Sequence, residues 1–213
     1  MTKIKICGLK RPEDIEAVNR YGPDYCGFIV DYPQSHRNLN PDQVRTLVQN
    51  LDRERITPVG VFVNSPMENV AKLLNDDTVA MAQLHGTEDE EYLRKLRTLT
   101  DKPVIKAFPI REVADLKKAA VCSADYLLLD RGKGEGKSFD WELLQSPEGA
   151  EAFSGIRTRN WFLAGGLSLM NIEEAITKFH PWCVDLSSAV ETDRRKDPDK
   201  IREMIEKVRR MER

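Results

Sequence analysis

Pro58-Val59-Gly60-Val61-Phe62-Val63 is an almost wholly apolar run rich in β-branched residues. Met67-Glu68-Asn69-Val70-Ala71-Lys72-Leu73-Leu74 follows, with Val70, Leu73 and Leu74 at helical intervals, and then Val79-Ala80-Met81-Ala82-Gln83-Leu84 is apolar again. The outer two segments read as strands buried on both faces, and the middle one as a helix with one apolar stripe turned toward them. Two strands joined through a helix pair in parallel by a right-handed crossover. The same alternation fills the chain on both sides. Strands are predicted at Ile4–Cys7, Tyr25–Val30, Val104–Phe108, Tyr126–Leu129, Trp161–Ala164 and Cys183–Leu186. Helices are predicted at Pro12–Tyr21, Pro41–Leu51, Glu88–Leu99, Arg111–Ala120, Trp141–Phe153, Met170–Phe179 and Asp197–Met211. Asn40-Pro41, Ser65-Pro66, Thr87 with Glu90, and Asp197-Pro198 supply helix-start chemistry. Eight strand–helix units in 213 residues, with no linker between them, favour an α/β protein whose parallel sheet closes into a (β/α)8 TIM barrel. The expected organisation is a single domain over residues 1–213, with an open doubly wound sheet as the alternative.

Composition narrows the function classes. Lys plus Arg is 33 and Asp plus Glu is 35, so a net charge of −2 gives no general attraction to nucleic acid or an anionic membrane. No apolar run approaches the ~20 residues needed to cross a bilayer. The opening Met1-Thr2-Lys3-Ile4-Lys5-Ile6 alternates polar and apolar, as a strand does and a signal peptide does not. Cys7, Cys26, Cys122 and Cys183 form neither a C-x-x-C nor a zinc-like pairing, so no metal site is expected. The expectation is a cytoplasmic protein with reduced thiols.

In such a barrel the chemistry lies at the carboxyl ends of the strands. Cys7 ends the first strand, where a thiol serves as proton acceptor or nucleophile if its pKa is lowered, and otherwise as a small buried hydrophobe. Asp130 closes Tyr126-Leu127-Leu128-Leu129-Asp130, and an acid behind three leucines is expected to be partly desolvated and suited to general acid work. A cap or rim salt bridge is its plain alternative. Arg37, after the second strand, is either a bidentate carboxylate grip or a solvated cation. Leu163-Ala164-Gly165-Gly166-Leu167 and Asp185-Leu186-Ser187-Ser188-Ala189-Val190-Glu191 follow the last two strands, where barrels often hold a phosphate on backbone N–H groups. Gly132 to Ser138 is a glycine-rich loop without the full spacing of a nucleotide-binding P-loop. It reads as a connection or as a cover for the barrel mouth. Gln83-Leu84-His85-Gly86 also falls at a strand end, and a structural role stays open for His85 and His180.

Taken together, Lys5-Ile6-Cys7-Gly8-Leu9, Gly27-Phe28-Ile29-Val30 with Ser35 and Arg37, Val59 to Asn64, and Gln83-Leu84-His85-Gly86 resemble the phosphoribosylanthranilate isomerase family of tryptophan biosynthesis. Leu128-Leu129-Asp130, Gly136-Lys137-Ser138-Phe139-Asp140-Trp141, Leu163 to Leu167, Val184 to Ser188, and Asp197 with Lys200 continue the resemblance to the last helix. It implies a cofactor-free barrel that performs an Amadori rearrangement on a small phosphorylated substrate. It further implies Cys7 as general base, Asp130 as general acid, Arg37 facing the anthranilate carboxylate, and Gly165, Gly166, Ser188 and Ala189 at the phosphate.

Two positions depart from the family's usual pattern. His36 stands where a proline is common, which is expected to loosen the backbone that aims Arg37. Ala189 stands where a glycine is usual, and its methyl is expected either to crowd the phosphate or to restrict the turn, with an effect on affinity and not on function as such. Cys7 argues against the histidine-pathway aldose–ketose isomerase, which has aspartates at both catalytic positions. Indoleglycerol-phosphate synthase needs a catalytic lysine and an amino-terminal extension. A non-catalytic sugar-phosphate-binding barrel is expected to lack Cys7 or Asp130. The sequence leaves the oligomeric state open.

Overall fold

In the computed structural model, residues 1–130 and 142–211 are described. Eight strands make the barrel: β1 Lys3–Cys7, β2 Tyr25–Val30, β3 Thr57–Phe62, β4 Met81–Leu84, β5 Val104–Pro109, β6 Tyr126–Asp130, β7 Trp161–Leu163 and β8 Cys183–Leu186. Each pairs in parallel with its chain neighbours, and β8 returns to β1, so the sheet is closed. The helices are α1 Pro12–Tyr21, α2 Pro41–Gln49, α3 Met67–Asn75, α4 Glu90–Leu96, α5 Val113–Ala120, α6 Glu142–Gln145, α7 Pro147–Arg157, α8 Ile172–Phe179 and α9 Pro198–Arg210.

Strand periodicity sorts side chains between two cores. In β1, Ile4 and Ile6 pack outward under the helices, which leaves Lys5 and Cys7 on the inner face. In β6, Leu127 and Leu129 face outward while Leu128 joins Val59, Met81, Ile105 and Phe162 inside. Tyr25, Tyr126, Phe162 and Trp182 stack at the amino-terminal end, with Tyr126 and Trp182 ring centroids 5.2 Å apart. That aromatic plug closes the bottom and leaves the top for polar residues.

Local chemistry moves several helix boundaries. Asn40 caps α2 by accepting from Gln43 N, and Asp197 caps α9 by accepting from Asp199 N and Lys200 N, as the sequence suggests. Asp89, rather than Thr87, caps α4, and Ser65 makes no side-chain cap for α3. The helix expected over 141–153 is two helices. Pro147 has no N–H to continue α6, and Ser146 accepts from Gly149 N to start α7. After β8 the chain makes a short 3₁₀ turn, Ser188–Val190, and an antiparallel pair, Glu191–Thr192 with Arg195–Lys196. The sequence reading did not anticipate that pair, and it carries two charged residues to the barrel mouth. Among the described residues no helix is long and apolar enough to cross a membrane.

Candidate active site

Cys7 and Lys5 share the inner face of β1. Lys5 is fully buried, and its Nζ donates to Asp185 Oδ2 at 2.9 Å. Lys5 and Asp185 are ladder partners across the β1–β8 junction, so barrel closure itself brings the two charges together. Burial opposes the Lys5 charge, but Asp185 and Cys7 outweigh it and hold the ammonium above its ordinary range. Gly27 stands opposite Cys7 in the β1–β2 ladder, and a Cβ there would lie 2.6 Å from the Cys7 sulfur. Burial pushes the Cys7 thiol up; Lys5 and Lys196 pull it down, Asp185 pushes it further up, and the net shift is upward. The sequence reading asked for a lowered thiol pKa. In the free protein burial outweighs the pull of Lys5 and Lys196, so the thiol is not lowered there.

Asp130 ends β6 on the same face as Leu128, with its side chain 27% exposed. Of the three leucines before it, only Leu128 shares its face, and the carboxylate is partly buried, as the sequence reading expects. Its Oδ2 lies 3.4 Å from His85 Nε2, and His85 Nδ1 lies 2.8 Å from Gln83 Nε2. With the amide donating to Nδ1, the neutral ring carries its hydrogen on Nε2, toward Asp130. His85 is therefore part of the site, at the strand end where the sequence places it.

Arg37 reaches across to the loop after β8. Its Nε and Nη2 donate to the two carboxylate oxygens of Glu191, each at 2.7 Å. Lys196 Nζ donates to the same carboxylate at 2.8 Å and to Ser187 O at 2.9 Å. Burial alone would raise the Glu191 pKa, but hydrogen bonds and charge from Arg37 and Lys196 hold it at about 2. Arg37 is thus oriented by a bidentate fork that uses one edge of the guanidinium. A side chain at Gly8, where φ is +84°, would collide with the Arg37 stem.

Hydrogen bonds also tie the loop that carries Arg37. Lys10 Nζ donates to His36 O at 2.7 Å, and Arg37 N donates to Ser35 Oγ at 3.2 Å. These contacts anchor the loop where the sequence reading expected a missing proline to loosen it.

Gly165 and Gly166 follow β7 with φ of +85° and +71°. Ser188 and Ala189 open the 3₁₀ turn. Ala189 is not in the left-handed region, so of the two expected effects its methyl does not strain the turn. Cys7, Arg37, His85, Asp130, Gly165 and Ser188 all line one cavity of about 430 Å³, within the usual range for a small-molecule site. Among the described residues no group of three or more His, Cys, Asp and Glu is placed to hold a metal ion. Arg131, the Gly132 to Ser138 loop, Phe139, Asp140 and Trp141 lie outside the described residues.

Sequence reasoning missed Lys5 and Lys196 as site residues and gave Asp185 and Glu191 only a place at a strand end. A signal was available for two of them: Lys5 and Asp185 are charged positions inside otherwise apolar strands.

The cavity can be set beside known proteins. A sequence model of the family N-(5'phosphoribosyl)anthranilate (PRA) isomerase matches residues 4–207. The chain is 41% identical over 215 residues to N-(5'-phosphoribosyl)anthranilate isomerase of Endomicrobium trichonymphae, covering 98% of this chain and 99% of that one. The crystal structure of phosphoribosyl anthranilate isomerase from Thermotoga maritima superposes with a TM-score of 0.85 at 33% identity, covering 98% and 99% of the two chains. A crystal structure of such an isomerase in complex with reduced 1-(o-carboxyphenylamino)-1-deoxyribulose 5-phosphate gives 0.83 at 32% identity, with the same coverage. The match spans every barrel strand, from Cys7 on β1 through Asp130 on β6 to the loop after β8, and the chain belongs to the N-(5'-phosphoribosyl)anthranilate isomerase family.

Proposed function

We propose that Cys7 and Asp130 are the proton-transfer pair of an Amadori rearrangement, the aldose–ketose isomerisation of N-(5'-phosphoribosyl)anthranilate. The chain is an isomerase of tryptophan biosynthesis, and its product is 1-(2-carboxyphenylamino)-1-deoxyribulose 5-phosphate. The observation that carries the assignment is that a thiol and a carboxyl converge on one cavity whose rim bears paired glycines and a serine turn.

Asp130 protonates the furanose ring oxygen, and the C–O bond opens to leave a Schiff base on the anthranilate nitrogen. Cys7 then removes the proton from C2, the carbon next to the iminium. The iminium acidifies that proton, and its positive charge favours the thiolate that must take it. The C–H electron pair forms the enolamine, which tautomerises to the ketone. Arg37, with one edge held by Glu191, offers its remaining N–H groups to the anthranilate carboxylate. The backbone around Gly165, Gly166, Ser188 and Ala189 receives the phosphate. The four unpaired, buried cysteines fit a reducing compartment, and the cytoplasm is the location we assign.

The deciding experiment follows loss of anthranilate-type fluorescence when the purified chain meets freshly made substrate. Asp130→Asn is expected to lose turnover while keeping affinity for a product analogue, because it keeps the shape and loses only the transferable proton. Retained turnover in Asp130→Asn would remove the residue from the mechanism, and loss of folding would make it a rim salt-bridge residue.

A further inference from the structure

Asp185 sits on the inner face of β8, one ladder position from the strand that carries Cys7. Its side chain is only 7% exposed. One carboxylate oxygen, Oδ2, takes the Lys5 ammonium at 2.9 Å. The other, Oδ1, is buried and has no hydrogen-bond partner among the described residues. A buried carboxylate oxygen left unpaired is costly, and native structures rarely keep one without a use. Asp185 lines the same cavity as Cys7. The Lys5 ammonium also pulls on the Cys7 thiol, and a Cβ on Gly27 would lie 2.6 Å from Sγ and 3.2 Å from Lys5 Nζ, so the one ammonium has Sγ and the Asp185 carboxylate as near neighbours. An ionised carboxylate oxygen only accepts, so its partner must be a donor.

The base reading of Cys7 supplies that donor. The carbon that gives its proton to a thiolate in this reaction, C2 of the sugar, carries one hydrogen and one hydroxyl. A site with two neighbouring acceptors fits such a carbon: hydrogen toward Sγ, hydroxyl toward Oδ1. We propose that Asp185 is a substrate-binding residue whose Oδ1 accepts a hydrogen bond from the C2 hydroxyl and so turns the C2 hydrogen toward Cys7. This inference rests on Cys7 being the base. The hydrogen bond also strengthens along the reaction, because the hydroxyl of an enolamine is a stronger donor than that of an alcohol. Asp185 therefore contributes to kcat as well as to binding. No alternative donor is needed from the protein: Lys5 is already shared between Asp185 and Cys7, and Lys196 donates to Glu191 and Ser187.

The test varies the ligand first, so that folding cannot confuse it. The probes are the reduced, open-chain product 1-(2-carboxyphenylamino)-1-deoxypentitol 5-phosphate and its 2-deoxy counterpart. Their Kd values are measured on the full chain and on Asp185→Asn. The full chain is expected to bind the 2-deoxy probe about ten- to a hundred-fold more weakly, the range for a hydrogen bond to a charged group. In Asp185→Asn that ratio is expected to collapse toward one. Should Asp185→Asn fail to fold, Lys5→Met/Asp185→Asn replaces it, since the buried ammonium then needs no counter-charge. Equal binding of the two probes by the full chain, or an unchanged ratio in the variant, overturns the proposal and leaves the isomerase reading intact. If neither probe binds, the reading of the cavity as the sugar-phosphate site falls, and this proposal with it.

Discussion

Two buried ammonium–carboxylate pairs lie on opposite faces of the barrel sheet, each with a 2.9 Å contact. Lys106 alternates with the inward-facing Ile105 and Ala107, so it stands on the helix side of β5 and meets Glu88 there. That pair is saturated. Lys106 also donates to Gly86 O at 2.8 Å, and Glu88 accepts from Asn64 N at 2.7 Å and Gly86 N at 2.9 Å. Its other hydrogen bonds go to backbone at the end of β4, through Leu84 O, and in the turns after β3 and β4, which they fix. Lys5 and Asp185, on the inner face, share their ammonium with a thiol and keep one carboxylate oxygen unpaired. Similar groups at the same distance thus serve different ends. A buried pair whose valences are filled by the protein is a structural clamp, and one that leaves a valence open toward a cavity is set up for a ligand.

The sharpest way to break this comparison is Cys7→Ser. It replaces the thiol beside the inner pair with a hydroxyl too weakly acidic to act as base near neutrality. Turnover is expected to fall ~10²–10⁴-fold, the usual loss for a general base, while the melting temperature stays close to that of the parent. A variant that keeps its turnover would place the base elsewhere.

Lys106→Met attacks the outer pair and is expected to show the reverse pattern. It leaves the Glu88 carboxylate buried and unneutralised, at a cost of about 3–5 kcal/mol in denaturant unfolding. Turnover per folded molecule should stay near the parent value. A large loss of turnover in well-folded protein would mean that the outer pair also serves the chemistry.

The pH profile of kcat/KM sharpens the inner half. Burial raises the thiol of the free enzyme above its ordinary value, and the base works only when deprotonated. The rate should therefore climb with pH on a limb whose midpoint lies above the usual cysteine range. Cys7→Ser should abolish that limb. A limb below the ordinary thiol range would show that Lys5 and Lys196 outweigh burial.

The smallest effect is expected from Cys26→Ser, a thiol control in the apolar layer. Burying a hydroxyl there costs about 1–2 kcal/mol of stability, and kcat should not change. A fall in kcat matching that of Cys7→Ser would mean that thiol loss acts on the fold rather than on the reaction.

Much of this architecture is legible along the chain, because apolar runs and three-four spacing are local signals. The predicted strand Tyr25–Val30 and helix Pro12–Tyr21 coincide with the observed elements. The errors come from groups whose partners are distant. Glu88 reads as a helix residue by spacing, yet it leaves α4 to pair with Lys106, 18 residues on. Cys7 and Asp130 stand out because strand ends are where barrels keep reactive groups. Glu191 does not, since its meaning depends on Arg37, 154 residues away, and on an antiparallel turn that no periodicity announces. Lys5 and Asp185 are charged residues in apolar strands, but only the register of the closing ladder shows that they meet.

That ladder ties activity to the order in which the barrel is built. Lys5 and Asp185 are 180 residues apart in sequence and belong to the first and last strands. Bringing such distant segments together is entropically slow, so long-range strand pairings tend to form late in folding. Until β8 docks on β1, Lys5 lacks its counter-charge and Cys7 lacks its neighbour. A chain whose last strand is undocked lacks both the Lys5–Asp185 pair and the turn after β8 that completes the cavity. During refolding, recovered turnover is a clock for the final strand alone, and it should lag behind any probe of the aromatic plug that reports on Tyr25, Tyr126 and Phe162.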